Sequence, residues 1–453
     1  MQVPVNRVHF DKADEEPRRS GNSAPASGRP TILLTNTDRW PGPARLAISL
    51  AKVGFDVSAL CPVPGHPLSK TTCVRQVYPY DGFHPIRSLI AAIETCRPLI
   101  IVPCDDLGVQ HLHELYRYAI ENSLPDLVAL LERSLGPSAS FSVVSARYDI
   151  LQIAREEGIL VPDTVMVRSI EDLKRRGQKG FPFMLKADGT WGGRGIRMAD
   201  SASQAEQSFR ELSEPPAALK VIKRVLLDRD RSWLRSWWKG ARPLITAQSH
   251  IVGRPANCAV VCWEGEVLAG IAVEVISSQE MTGPATVVRV VDSHDMLLAA
   301  TRIARRLRLS GFFGLDFMIN DESDAIYLIE MNPRCTPLCH LQLGEGRDLV
   351  SALWSRLSDR PLQSTPPVTE NDKIAYYPQA LQCPAALLDA SFLDIPQGEP
   401  ELLNDLLHPW SGRSFLGRVW DKVRPRALQR KSPKPCTFDA AMADQRVSSV
   451  GKV

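Results

Sequence analysis

The sequence predicts an α/β domain followed by an α+β region, and three observations carry that prediction. Between residues 30 and 135 short apolar runs alternate with segments of helical spacing, as in a small parallel sheet covered by helices. A lysine-ended strand then runs into a glycine-rich stretch, FMLKADGTWGGRGIR (183–197). Last, GLDFMINDESDAIYLIEMNPR (314–334) reads as a β-hairpin carrying acidic residues on both arms.

The first region opens with Thr31–Thr35 (TILLT), a short apolar strand. Pro43–Val53 has helical spacing and stops at Gly54, and Asp56–Leu60 is a second strand. Ile86–Cys96 reads as a helix and Pro98–Pro103 as a buried strand ending at Asp105 and Asp106. Further on, Ser145–Glu157 is expected to be helical, Phe181–Lys186 a strand and Ser203–Leu212 a helix. From about residue 245 strands dominate, with Glu-Gly-Glu at a hairpin turn within Trp263–Val267. Asp295–Leu309 has the pattern of a basic amphipathic helix, followed by strands Phe312–Ile319 and Ala325–Asn332.

Composition narrows the class. Hydrophobic residues make up 44% of the 453 and charged residues 23%, ordinary for a globular enzyme. A net charge of +3 makes no strong case for nucleic acid. No stretch approaches 18 uninterrupted apolar residues, which speaks against a membrane span, and the N-terminus lacks the apolar core of a secretory signal. The ten cysteines form no CxxC pair and no zinc-finger spacing; Cys258/Cys262 and Cys335/Cys339 are read as separated along strands. Reduced thiols and a cytoplasmic location are the expectation.

The acidic hairpin is the first candidate site. Side chains alternate along a strand, so Asp316 and Met318 share a face, as do Leu328, Glu330 and Asn332. With the turn centred near Ser323, Asp316 stands opposite Glu330. Two carboxylates and an amide oxygen then converge, hard ligands suited to magnesium. A water-exposed acidic face is the bland alternative, and the apolar flanks GFFGL and AIYLI weigh against it, because a buried carboxylate needs a partner. In the glycine stretch, Lys186 ends the strand and Gly189, Gly192, Gly193 and Gly195 free the following backbone to turn its N–H groups toward a phosphate. The stretch is neither a Walker A loop nor a GxGxxG fingerprint, and by itself a flexible hairpin would explain it.

Together, in this order, the two segments resemble the ATP-grasp superfamily, and IEMNPR in particular is similar to the carbamoyl-phosphate synthase large subunit. The resemblance covers roughly 31–360. It implies an N-terminal Rossmann-like pre-ATP-grasp domain (30–135), then the two lobes of an ATP-grasp fold: an N-terminal lobe with the glycine loop (136–245) and a C-terminal lobe with the magnesium site (246–360). A leader (1–29), a small C-terminal subdomain (361–424) and a tail (425–453) complete the expected organisation, leader and tail being disordered.

By that resemblance Lys186 binds the ATP phosphates. Asp316, Glu330 and Asn332 hold Mg2+ or Mn2+, and Arg334 contacts the transferred phosphate and the acyl intermediate. Arg147 stands where a phosphate-reaching lysine is more usual. LITAQSHIVGRPANCAVV resembles the strand joining the lobes, with Ser249–Ile251 meeting adenine through the backbone. Gln248 replaces a common glutamate there, and no ribose-binding acid stands near Pro255, leaving Asn257 as a candidate.

Arg289 and His340 are candidates for the substrate, against the ordinary alternatives of a solvated strand arginine and a structural histidine; Asp105 and Asp106 are further candidates. Lys223–Arg242, with three tryptophans, reads more simply as an amphipathic helix than as a nucleic-acid surface. The basic run Arg413–Lys434 reads as a solvated end.

The implied reaction is ATP-dependent activation of a small-molecule carboxylate for attack by an amine, with ADP and phosphate as products and a homodimer conceivable. A non-catalytic ATP-binding regulatory protein of the same fold is the alternative, opposed by the intact Asp316, Glu330, Asn332 and Arg334. A dinucleotide-dependent oxidoreductase is disfavoured because TNTDRWPGPAR, not GxGxxG, follows the first strand.

Overall fold

The computed structural model describes residues 29–188, 195–213, 243–279, 283–361 and 366–408. The leader, the tail, Lys223–Arg242 and Arg413–Lys434 lie outside the described residues, apart from Arg29.

The first unit is a four-stranded parallel sheet in the order β3-β2-β1-β4. Its strands are β1 (Thr31–Thr35), β2 (Asp56–Cys61), β3 (Val74–Pro79) and β4 (Ile100–Pro103). Between them run α1 (Gly42–Val53) and α2 (Pro85–Cys96), then α3 (Asp106–Glu121) and α4 (Pro125–Leu135). The helices end where the sequence demands: Gly54 closes α1 in the left-handed region at φ 116°, which glycine adopts without steric cost. Strand order reverses between β1 and β4, so their carboxyl ends, at Thr35 and Pro103, flank a crevice.

Two short helices, α5 (Phe141–Val144) and α6 (Arg147–Glu156), lead to an antiparallel sheet of order β5-β8-β6-β7. It is built from β5 (Thr164–Val167), β6 (Phe183–Ala187), β7 (Ile196–Ala199) and β8 (Ile245–Ser249). Phe183, Leu185, Ala187, Ile245 and Ala247 point to one side, into a core closed by α7 (Ile170–Gly177) and α8 (Ala202–Ser213). Alternation therefore sends Met184, Lys186, Thr246 and Gln248 to the other side.

The largest sheet has seven strands in the order β13-β12-β9-β10-β11-β14-β15. These are β9 (Gly253–Trp263), β10 (Glu266–Ser278), β11 (Ala285–Val291), β12 (Gly311–Asn320), β13 (Ile326–Asn332), β14 (Lys373–Tyr376) and β15 (Phe392–Asp394). The predicted turn at Glu264–Gly265 is there, both residues having positive φ (52° and 90°), as a two-residue hairpin requires. One face packs on α6 and on α9 (His294–Leu307), whose buried Met296, Ala300, Ile303 and Leu307 form the stripe foreseen for an amphipathic helix. The other face shares a core with the first sheet, α1 and α10 (Leu349–Ser358). The segment after 360 supplies β14, β15, α11 (Ala385–Asp389) and α12 (Pro400–Leu407); Ile374, Tyr376 and Leu402 join that shared core.

Two readings of local detail need correction. Asp316 pairs with Glu330 but Phe317 pairs with Leu328, so Ile329 is the extra residue of a β-bulge. The bulge reverses the alternation, and Leu328 lies with Phe317 in the α6–α9 core, not on the face of Glu330 and Asn332. Cys258 and Cys262 do lie along a strand, but Cys335 and Cys339 sit in the turn segment after β13, both buried. All nine cysteines among the described residues are free thiols. No helix among the described residues is long and apolar enough to cross a membrane.

Candidate active site

The acidic hairpin is assembled by β12 and β13. Asp316 and Glu330 face each other across the ladder, and Asn332 opposes Gly314 on the same side. Gly314 is needed here, since a Cβ at this position would lie 2.5 Å from the Thr336 methyl. Asn332 Nδ2 donates to Asp316 Oδ2 at 3.0 Å, and Asn257 Nδ2, from neighbouring β9, donates to Asp316 Oδ1 at 2.6 Å. Asn257, the candidate for the ribose, is thus a partner of Asp316. Burial first, and the nearby Glu330 second, push the Asp316 carboxyl up to about 6, against the two amide donors.

Arg147, the first residue of α6, reaches this hairpin. Its Nε and Nη2 donate to Glu330 Oε1 at 3.2 and 2.9 Å, and its Nη1 donates to the Ala187 carbonyl at the end of β6. Asp188 Oδ1 stands 3.8 Å from the same guanidinium. Burial works against the charge on Arg147, but Glu330 and Asp188 outweigh it and raise its pKa. Burial pushes the Asp188 carboxyl up to about 6. Sequence reasoning passed over Asp188; its signal was an acidic residue placed directly between the Lys186 strand and the glycines.

Lys186 is buried, and its Nζ lies 3.5 Å from the carbonyl of the bulge residue Ile329. Burial lowers its pKa, and Glu330 and Asp316 pull the other way. Gln248 shares its face, with Nε2 also 3.5 Å from the Ile329 carbonyl. The sheet of the first lobe and the bulge of the second therefore meet at one oxygen. Ser249 turns to the other side, where Arg176 holds its hydroxyl at 2.9 Å; its amide bonds the Asp163 carbonyl. Its carbonyl and the backbone of Ile251, just beyond β8, are what remain for a base. Of the glycines, Gly195 adjoins β7 and passes its carbonyl to the Ala187 amide at 2.9 Å; Gly189, Gly192 and Gly193 lie outside the described residues.

Arg334 sits beyond the hairpin, its Nη2 3.2 Å from Asn332 Oδ1 and its Nε 3.1 Å from Asp106 Oδ1. Burial opposes its charge, and Asp106 more than restores it. Asp106 opens α3, so the N-terminal domain touches the site here. Its neighbour Asp105 is used structurally: it caps Gly108 at 2.6 Å and binds Asn36 at 2.8 Å and the Thr37 amide.

Two candidates are not brought to this cluster. His340 Nε2 pairs with Asp394 of β15 at 2.9 Å, and the same carboxylate binds Arg45 of α1. That makes it a buried joint between three parts of the chain. Arg289 pairs in register with Glu274, on the face opposite to that of Asp316 and Asn257, and lies 4.0 Å from Glu274 and 3.7 Å from Asp372. The even strand period puts it on the far side of the sheet.

A divalent cation fits the donor set. Among the described residues no three His, Cys, Asp or Glu side chains form a metal cage. Two carboxylates and an amide suit magnesium, which is usually held by one or two carboxylates with waters and phosphates completing its shell. Burial first and Glu330 second hold the Asp316 carboxyl above the usual range, a cost that a bound divalent ion would relieve.

Comparison with known proteins agrees with this geometry. Residues 152–338 match the family described as carbamoyl-phosphate synthase L chain, ATP binding domain. The chain is 28% identical over 181 residues to the carbamoyl phosphate synthase large chain of Rubrobacter xylanophilus, a stretch that is 39% of this chain and only 16% of that protein. Among solved structures it is similar to carboxyaminoimidazole ribonucleotide synthase from Aspergillus clavatus complexed with ATP (TM-score 0.53, 15% identity, 74% of this chain and 78% of that one). A second is N5-carboxyaminoimidazole ribonucleotide synthetase from Thermus thermophilus (0.51, 17%, 74% and 80%). A third is the biotin carboxylase domain of 2-oxoglutarate carboxylase from Hydrogenobacter thermophilus (0.52, 14%, 74% and 71%). At such identities the likeness to the solved structures is one of fold. The chain has the ATP-grasp fold, and its residues 152–338 are similar to the ATP-binding domain of the carbamoyl-phosphate synthase large chain.

Proposed function

We propose that the chain is an ATP-dependent ligase that activates a carboxylate as an acyl phosphate and passes the acyl group to an amine, releasing ADP and phosphate. The observation that carries this reading is the meeting of Lys186, Arg147, Asp316, Glu330, Asn332 and Arg334 where the two lobes face each other. Three cations stand there beside Asp316 and Glu330, with Asp188 and Asp106 against Arg147 and Arg334, and together they offer positive groups for a phosphate chain and carboxylates for its divalent ion. The similar structures support it in kind: the Hydrogenobacter one is a dimer in complex with MgADP, ADP and bicarbonate, and the Aspergillus one is complexed with ATP.

In this reading Lys186 and Arg147 bind the phosphate chain, and the Ser249–Ile251 backbone meets the adenine. Asp316, Glu330 and Asn332 would hold magnesium or manganese, which supplies charge neutralisation at the phosphoryl oxygens. A substrate carboxylate oxygen attacks the γ-phosphorus, the bond to the β-bridging oxygen breaks, and ADP leaves. Arg334 is suited to the developing charge because its fork can bind two oxygens at once. Its salt bridge to Asp106 holds the fork in place meanwhile. The amine then attacks the acyl carbon, phosphate departs, and the amine loses a proton. The identity of acid and amine follows from groups lining the cleft on the N-terminal domain, with Asp106 the nearest to Arg334.

The test is trapping. With candidate acids, ATP and magnesium but no amine, hydroxylamine should yield the hydroxamate, and phosphate should carry one oxygen from a labelled carboxylate. Formation of AMP and pyrophosphate would reject the acyl-phosphate route. ATP binding without turnover against a broad panel of acids would favour a regulatory ATP-binding protein instead.

A further inference from the structure

At the end of the first sheet opposite the catalytic cleft lies a groove of about 500 Å³. β1 begins here at Thr31 and reaches the cleft side only at Thr35, so the groove and Asp105 stand at opposite ends of the same strand. Four arginines line the groove: Arg29, Arg97, Arg133 and Arg360, with Trp354 and Leu99 forming apolar wall. All four arginines are exposed. Many arginines among the described residues are used in ion pairs, as Arg45, Arg147, Arg254, Arg306 and Arg334 are. None of the four has an ion pair or a side-chain hydrogen bond to a described residue.

The ordinary reason for arginines at this end is the helix dipole. Arg97 is the C-cap of α2, Arg133 lies in the last turn of α4, and Arg360 follows the C-cap of α10. Each helix end offers about half a negative charge, so three of them offset about one and a half of the four positive charges. A positive surplus remains in one concavity, reduced by the neighbouring Glu132, whose carboxylate keeps its charge while accepting from Tyr116 at 2.9 Å. The wall is also preformed: the Trp354 ring is held edge-on by Phe55 at 4.8 Å, and Gly54 packs close against it.

We propose that this groove is a second ligand site, separate from the nucleotide cleft, for a small molecule bearing two or more phosphate groups. Guanidinium forks bind phosphate oxygens in two-point fashion, and the volume is that of a small-ligand site, about 300–1,000 Å³. A carboxylate or a single phosphate would engage fewer of the four forks.

Inorganic tripolyphosphate serves as the probe, titrated calorimetrically into the full chain. Lys186→Ala removes the phosphate-binding lysine of the cleft, and binding to the groove should persist in that variant. Arg97→Ala with Arg133→Ala, both exposed positions, should weaken this binding at least tenfold and flatten its salt dependence, while leaving ATP affinity unchanged as a control of the fold. Triphosphate binding that vanishes in Lys186→Ala, or that the double variant leaves unaltered, overturns the proposal. So does a double variant that loses a single-stranded oligonucleotide or anionic vesicles but keeps triphosphate, because the surface would then serve a macromolecule.

Discussion

Arg147 lays Nε and Nη2 on one oxygen of Glu330, at 3.2 and 2.9 Å, joining the start of α6 to the acidic hairpin across 183 residues of sequence. In the ligand-free protein this arginine balances a site that also holds Asp316 and Asp188, each with a carboxyl pushed up to about 6 by burial. Arg147→Ala should therefore destabilise the ligand-free protein by about 1.5–3 kcal/mol, the range for hydrogen bonds to charged groups. Magnesium should recover part of the loss in a thermal melt. A variant that melts as the parent does, with and without magnesium, would mean the arginine balances nothing.

Glu330→Ala removes one of the two carboxylates proposed for the metal while leaving the apolar side of β13, at Leu328 and Met331, intact. ATP-dependent turnover should disappear with the circular dichroism spectrum unchanged. Turnover near the parent rate would place the metal elsewhere.

For Lys186 the readout is nucleotide affinity. Loss of one charge-assisted contact of about 1.5–3 kcal/mol predicts ATP binding weaker by roughly tenfold or more. Calorimetry showing equal affinity would separate Lys186 from the phosphates.

Arg334 and Asp106 form a 3.1 Å pair, and the two should behave differently. Arg334→Ala should suppress hydroxamate trapping more than it weakens ATP binding, because the fork is asked to meet charge that grows during transfer. Asp106→Asn keeps the shape and frees the fork, so trapping should survive with a raised KM for the acid or amine. Equal loss of ATP affinity and trapping in Arg334→Ala would make it a nucleotide contact only.

The Asp394 joint predicts acid behaviour. Burial alone would raise this carboxyl, but His340 and then Arg45 hold it down at about 2. A depressed carboxyl adds stability that is present above its unfolded value of about 3.8 and is lost as pH falls through about 2, here on the order of 2 kcal/mol. Asp394→Asn should lower the melting temperature at pH 5–7, and the difference should shrink as pH falls from about 3.8 through about 2. An unchanged gap between the two proteins down to pH 2 would rule out this carboxylate as the source.

How much of this was readable beforehand differs residue by residue. Strand period and a turn at Asn320–Asp324 are local, and they were enough to set Asp316 against Glu330 and to end a strand at Lys186. The same local rule misplaced Leu328, since a one-residue bulge at Ile329 changes the side of everything beyond it and leaves no mark in composition. The glycine stretch announced a phosphate loop only in combination with the hairpin.

What the sequence by itself determined was therefore many of the elements, the acidic hairpin and the resemblance to ATP-grasp ligases, because each follows from patterns a few residues long. Tertiary structure alone decided which distant side chains meet: Arg147 with Glu330, Arg334 with Asp106, Asn257 with Asp316, and His340 with Asp394 instead of the cleft. It also turned Arg289 to the far face and gathered four arginines from four separate segments into one groove. Such meetings depend on how three sheets pack through shared apolar cores. Loop closure over tens to hundreds of residues carries no periodic signal that a reader of the chain could follow.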